Sequence, residues 1–219
     1  MGHLNHVTGL QINLNNKWLS KWSVDIKNKF IYSQLIAQDL LIQQFILQFF
    51  KKIQLQTIKP IIKRTYNGFH IFLGIYFEDS NAFSYPKQQE FQYLIENFVK
   101  TKIFIYYIPI TTYFYDAQLL SNYIVKEINN NKKPLMVFKN IIKKKEELLT
   151  NSLLIQKISG IKYEIAGRIK GVDRARTQKF LWGSVSLNKI SQKISYAKNT
   201  VFTKEGTLGI KVWIAFNNL

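Results

Sequence analysis

The stretch Ser159–Phe216, "SGIKYEIAGRIKGVDRARTQKFLWGSVSLNKISQKISYAKNTVFTKEGTLGIKVWIAF", decides the fold class. Ile161, Tyr163 and Ile165 share one parity with Lys162 and Glu164 between them, which is the period of a half-buried strand, so a strand is read over Ile161–Ile169. Ser184–Leu187 reads as a short strand. Lys193–Thr203 and Thr207–Phe216 flank the turn residues Lys204, Glu205 and Gly206 and read as two more. Upstream, Asp116 suits the N-cap of a helix through Ile128, and Asn129-Asn130-Asn131 breaks it. Pro134 suits the first turn of another helix that runs to about Leu149. Two helices followed by a mainly antiparallel sheet make an α+β unit.

Nearer the N-terminus, apolar residues recur at Ile31, Leu35, Leu41, Phe45, Ile46 and Phe49, predicting a long helix over Phe30–Phe50. Ile58–Arg64 and Phe69–Phe77 read as strands across an Asn67-Gly68 turn. A helix over Lys87–Val99 and a strand over Lys102–Ile110 follow. The order is helix, strand, strand, helix, strand. The chain therefore reads as a basic N-terminal arm (1–29), a first domain (30–111) and a second domain (112–219). The apolar runs Phe45–Phe50 and Tyr106–Tyr115 are expected to be divided between core and protein interface.

The 219 residues carry 31 Lys and Arg against 13 Asp and Glu, a formal net charge of +18. Such self-repulsion makes a polyanionic partner the default expectation. There is no cysteine, which excludes disulfides, thiolate catalysis and cysteine-bound metals. Of the three histidines, His3 and His6 fall near the N-terminus, and His70 lies in a strand-like run where packing is expected. No cofactor and no metal site is expected. The uncharged run Ile103–Tyr115 contains Pro109 and is too short to span a bilayer. The N-terminus has neither a signal-peptide h-region nor an Arg-rich transit pattern, so a product made in its working compartment is expected.

Only four arginines stand among 27 lysines, and three of them, Arg168, Arg174 and Arg176, fall within one short stretch. Ile, Lys, Asn, Phe and Tyr make up nearly half the chain, which points to an A/T-biased genome such as an organelle's. Under that bias lysine drifts into sites that need only charge. Arginine persists where its planar fork matters, as in bidentate contact with phosphate. Arg174 and Arg176, two apart in extended chain, are expected to point the same way. Lys17, Trp18, Lys21 and Trp22 interleave charge with aromatic rings; this suits phosphate contact with base stacking, or a Trp pair anchoring the arm. Lys139, Lys143, Lys144 and Lys145 share a helix, and a lysine run of this kind favours a polyanion.

Phosphate-loop, dinucleotide-binding, zinc-protease and serine-hydrolase signatures are all missing, so no catalytic residue is assigned. "FLGIYFEDSNAF", Phe72–Phe83, partly resembles the acidic motif of LAGLIDADG homing endonucleases, in which a carboxylate at a helix end binds metal. Glu78 or Asp79 would be that group in an alternative, organellar-endonuclease reading.

A second resemblance is carried by many fixed points. They are Gly167-Arg168, Ala175-Arg176-Thr177, Gly183-Ser184-Val185-Ser186-Leu187, Ile194-Ser195-Tyr196 and the run from Gly206 through Gly209, Lys211, Val212 and Trp213 to Ile214. Together they closely resemble the C-terminal domain of the universal small-subunit ribosomal protein three family. Thr8–Trp22, "TGLQINLNNKWLSKW", resembles that family's opening, with Gln11 where arginine is usual and Asn13 where glycine is usual. The resemblance implies a type II KH fold for 30–111. It lacks the Gly-x-x-Gly loop, since Glu78–Lys87 contains no glycine and carries two acids.

The resemblance further implies a structural, non-enzymatic constituent of a mitochondrial small ribosomal subunit, organelle-encoded and located in the matrix. Its partners would be small-subunit rRNA in the head, mRNA at the entry channel and ribosomal proteins ten and fourteen, with no membrane and no homo-oligomer. The implied rRNA contacts are Lys17, Trp18, Lys21, Trp22, Arg168, Lys170, Arg174, Arg176 and Lys179. Lys139, Lys143 and Lys144 fall in the helix that lines the mRNA entry channel in that family.

Overall fold

The computed structural model describes residues 6–12, 14, 16–24, 29–76, 85–130, 133–149, 158–204 and 206–217. The chain divides into two compact units, one of residues 18–112 and one of 113–219 joined by 1–17. This division splits the segment expected as a single N-terminal arm. A short helix, α1 (Val7–Gln11), packs on the second unit. Gln11 is buried there, its Nε2 donating to the Gln192 carbonyl at 2.6 Å and its Oε1 accepting from the Ile194 N–H at 3.2 Å. A side chain that stands where the resembled family uses arginine thus serves one backbone acceptor and one backbone donor of the second unit.

The first unit contains β1 (Ser20–Lys21), α2 (Lys29–Lys52), β2 (Gln56–Thr57), β3 (Ile61–Thr65), β4 (Gly68–Tyr76), α3 (Tyr85–Val99) and β5 (Ile103–Ile110). β3 and β2 pair antiparallel with successive parts of one edge of β4, β5 runs parallel along its other edge, and β1 extends the sheet beyond β3. Among the described residues the helix–strand–strand–helix–strand order is that of a type II KH fold less one helix. Along β4, Phe69, Ile71, Leu73 and Ile75 are buried and the residues between are half-exposed, as alternation requires. α2 buries Ile42, Ile46 and Phe50, one residue per turn, against this face. Phe45 stacks on Phe98 and Phe49 on Phe91, so the apolar run at 45–50 is largely core.

The run from Phe72 to Tyr76 is the second half of a strand, as its pattern implies, and not the helix a LAGLIDADG motif needs; Glu78, Asp79 and the rest of 78–84 in the glycine-free segment lie outside the described residues. His70 packs on the sheet's outward face, half-exposed and stacked on Phe104, because β4's buried parity belongs to Phe69 and Ile71.

The second unit holds a 3-10 turn (Tyr113–Tyr115), α4 (Ala117–Asn129), α5 (Pro134–Leu149), β6 (Ile158–Gly167), a 3-10 turn (Ile169–Gly171), β7 (Arg176–Gly183), β8 (Ile194–Thr203) and β9 (Gly206–Phe216). The sheet is antiparallel in the order β7-β6-β9-β8. The whole chain is therefore α+β. Asp116 precedes α4 but makes no direct side-chain cap. Its Oδ1 instead accepts from Ser195 Oγ at 2.5 Å, and Ser195 Oγ accepts from the Ala117 N–H at 3.1 Å, tying the helix start to β8.

The strand expected at Ser184–Leu187 is absent. The pairing strand is Arg176–Gly183, and Val185 and Leu187 instead pack beside Trp213. β7 sits at the sheet edge and is exposed along most of its length, so apolar alternation marks only Phe180 and Trp182 at its end. It ends where Gly160 and Gly183 face each other: a Cβ on Gly183, whose φ is +67°, would come within 2.2 Å of the Ser159 carbonyl oxygen.

The most consequential polar contact of the first unit is at Asp39, which is buried on α2. Its Oδ2 accepts from Trp22 Nε1 at 2.7 Å, and its Oδ1 accepts from Arg64 Nε at 3.0 Å and Nη2 at 2.5 Å. Arg64 also donates to the Leu35 carbonyl and to Gln38 Oε1, and lies over the Phe69 ring. Asp39→Ala is expected to lower the unfolding free energy by about 3–5 kcal/mol, because it strands a desolvated guanidinium. Urea denaturation reads this, and a loss below about 1 kcal/mol would show that water replaces the carboxylate.

In the second unit the buried Tyr163 hydroxyl donates to the Pro134 carbonyl at 2.6 Å. Burial pushes the Tyr163 phenol up from its ordinary value of 10.0, and Tyr107 in the first unit shifts the same way for the same reason. Because the folded state keeps the phenol protonated, this contribution to stability is complete below pH 10 and is lost as pH rises above it. Denaturation midpoints are expected to fall from pH 10 upward, with a shallower fall in Tyr163→Phe.

Candidate nucleic-acid interface

β6 ends at Gly167, which pairs with Arg176 at the start of β7. Gly167 has a φ of +141°, and a Cβ there would meet the Thr207 carbonyl oxygen at 2.8 Å. The loop between these strands carries Arg168, the 3-10 turn, a bend at Asp173 and Arg174, and then Arg176. The hairpin brings Arg168 and Arg176 to one end of the sheet. All three arginines are exposed, and none forms an ion pair among the described residues. Arg168 uses only its Nε locally, donating to the Val172 carbonyl at 3.1 Å. The bend at 173–174 removes the extended geometry that was expected to align Arg174 with Arg176. Lys170 lies in the 3-10 turn, and its side chain lies outside the described residues.

Lys179 is farther along β7. It faces Glu164 across the ladder at 4.0 Å, while Lys162 holds the same carboxylate at 3.1 Å. The Lys179 side chain stays 67% exposed, so its ammonium is only loosely held.

α5 lies on β6 and β7 through Phe138, which contacts both Tyr163 and Phe180. Lys139 and Lys143, four residues apart, are exposed on one helix face. The rest of the lysine run turns elsewhere. Lys144, though exposed, places its ammonium 4.8 Å over Tyr123 and 5.6 Å over Tyr113 of the same unit. Lys145 is buried, with Nζ 3.0 Å from the centroid of Trp182. Desolvation pushes the Lys145 ammonium below its ordinary pKa, and Glu146 opposes that shift. Lys145 is thus a packing residue, which its place in a lysine triplet does not reveal; the only signal is Trp182 at a strand end.

The N-terminal constellation divides as well. Trp22 is anchored: Asp39 accepts its indole N–H and Tyr32 packs edge-on to its ring at 5.4 Å. Trp18 is 58% exposed, and Lys17 and Lys21 are exposed. Among the described residues no group of three His, Asp or Glu side chains is placed to hold a metal ion. Each unit by itself thus exposes cations without ion-pair partners among the described residues, such as Lys21 in the first and Arg168, Arg174, Arg176, Lys139 and Lys143 in the second, which suits phosphate neutralisation.

A family model described as "Ribosomal protein S3, C-terminal domain" matches residues 136–214. The chain is 28% identical to the small ribosomal subunit protein uS3 of Borrelia duttonii, over 98% of this chain and 74% of that protein. It is 27% identical to the uS3 of Ruegeria pomeroyi, over 98% of this chain and 86% of that protein. For the uS3 of Chlorobium limicola the identity is 26%, over 98% of this chain and 81% of that protein.

If forked contacts matter at the β6–β7 loop, Arg174→Lys or Arg176→Lys should weaken RNA binding more than Lys139→Ala, by about 1–3 kcal/mol. Filter binding at fixed salt measures this; equal losses would show that charge alone is used there.

Proposed function

We propose that the chain is a member of the ribosomal protein S3 family and a structural constituent of a mitochondrial small ribosomal subunit that binds rRNA of the subunit head, a reading supported by the family model over 136–214 and by uS3 relatives along nearly the whole chain. The family is structural and non-enzymatic, which removes the endonuclease reading along with the strand found at Phe72–Tyr76. One observation carries RNA binding: three of the four arginines are exposed at one hairpin loop with no carboxylate partner among the described residues, while the fourth, Arg64, is saturated by Asp39. Arginine retained at that loop in a lysine-rich chain fits forked contact with phosphate oxygens.

Lys139 and Lys143 on the open face of α5 support a place along the mRNA entry channel. Leu40, Leu41 and Leu47 are exposed on α2, which supports protein neighbours, with ribosomal proteins ten and fourteen as the expected ones. The A/T-biased composition supports an organelle-encoded product working in the matrix. No helix among the described residues is long and apolar enough to cross a membrane.

Sucrose-gradient sedimentation of an organellar lysate tests the reading. The chain is expected to co-migrate with the small subunit and to stay there through a high-salt wash, as an integral component buttressed by many contacts does. Recovery only at the top of the gradient would overturn it. The isolated chain should bind RNA with an affinity that falls steeply with salt, log K dropping by roughly 0.7–0.9 per log unit for each phosphate neutralised.

A further inference from the structure

The outward face of the sheet in the first unit carries a feature that neither the arginine loop nor α5 accounts for. Alternation turns Ile71 and Leu73 of β4 into the core and leaves His70 and Phe72 on the opposite face. β5 runs in register beside it, so Phe104 stands next to His70 and Tyr106 next to Phe72. The rings pair into two stacks: His70 on Phe104 at 5.0 Å and 18°, and Phe72 on Tyr106 at 4.8 Å and 14°. His70 also lies near-parallel to Tyr106 at 5.9 Å, and its Nδ1 is 3.2 Å from the Tyr106 hydroxyl. Among the described strands β5 is an edge, and Tyr106, the outer ring of its stack, is 44% exposed. The next ring to be added on that side would be a ligand's.

The charge around these rings has one sign. Lys63 places its ammonium 4.8 Å over Phe72, and Lys102 places its own 5.3 Å over Phe104. Lys21 of β1 is the register partner of Lys63, so it shares the outward face. No aspartate or glutamate occurs in any of the five strands of this sheet. An exposed Tyr106 ring beside half-exposed Phe104, Phe72 and His70, bordered by ammonium groups with no carboxylate among them, matches a strand of unpaired nucleotides: bases extend the stacks and phosphates draw the lysines off the rings. A protein partner is less well matched, because it would need an acidic rim and would gain nothing from parallel ring stacks. Ile61 and Ile108 carry the apolar surface on beyond the Phe72–Tyr106 pair, away from Lys102.

We infer that the outward sheet face of the first unit is a second RNA site, at which unpaired bases stack on Tyr106 and Phe104 while Lys21, Lys63 and Lys102 contact phosphates. RNA as the partner class rests on the ribosomal reading above; the location and the single-stranded preference rest on the ring geometry.

The test uses the full chain and two fluorescein-labelled probes, an oligouridine of about a dozen nucleotides and an RNA duplex of similar length, followed by anisotropy. Phe104→Leu with Tyr106→Leu keeps apolar bulk and removes the rings. It is expected to raise the Kd for oligouridine about tenfold or more, while duplex affinity changes by less than about twofold. Lys63→Gln with Lys102→Gln, both exposed and uninvolved in the core, should weaken oligouridine binding and lower its salt slope by about 1–2. Photo-cross-linking of a 4-thiouridine probe should label the peptide containing Phe104 and Tyr106. Thermal melts establish that each variant is folded; if the leucine pair is not, the lysine pair and the cross-link decide.

Unchanged oligouridine affinity in the folded variants, with no cross-link on that peptide, overturns the site while leaving the ribosomal reading intact. A chain that binds neither probe overturns both. Leucine variants that bind oligouridine normally but leave the small subunit on a gradient make the face a protein contact, which also overturns the proposal.

Discussion

Thirteen carboxylates must serve 31 cationic side chains, and the rest of the architecture depends on where those few acids go. Asp39 is placed inside the first unit, where it takes Arg64 in a forked pair and fixes Trp22. Glu164 sits between Lys162 and Lys179 on the second sheet. Asp116 is linked through Ser195 to the start of α4. Each acid on this list organises local structure, so the cations left over cannot be neutralised from within. In water at physiological salt such charges repel over about 8 Å. A polyanion relieves that repulsion, so the chain suits a ribonucleoprotein better than an isolated existence.

The same scarcity separates residues that look alike in sequence. Arg64 and Arg176 are both arginines on strands, but only Arg64 is saturated by a buried carboxylate and a backbone carbonyl. Lys143, Lys144 and Lys145 are consecutive, yet a helix turns them to three directions: one stays in water, one lies over two tyrosines, and one is buried on Trp182. Trp18 and Trp22 share a motif but not a role, because the indole N–H of Trp22 has a buried acceptor and Trp18 remains exposed. Function in this chain follows from which cations and rings the fold leaves unemployed.

The long elements were legible because their signal is local. Apolar residues recur at a helical spacing through α2, β6 alternates strongly enough to be read directly, and β8 and β9 are marked by the turn they flank. β7 was missed because its first four residues are polar and exposed and only Phe180 and Trp182 turn toward α5, while the apolar Val185 and Leu187 beside it imitate a strand. The arginine loop was legible by composition, since arginine stands out against lysine. The aromatic face was not. His70 and Phe72 lie more than thirty residues from Phe104 and Tyr106, and only the parallel β4–β5 register brings them together.

What the sequence by itself determined is the α+β class, the resemblance to one ribosomal protein family, the excess of positive charge and the unusual concentration of arginine, because periodicity, motif spacing and composition are properties of the chain alone. Tertiary structure decided the rest: that Gln11 belongs to the second unit, that Lys145 is buried, that Trp22 is an anchor, and that four rings from two strands meet on one face. The reason is physical. Burial, pairing and stacking depend on which distant segment is adjacent, and for these residues the partners lie far away in sequence.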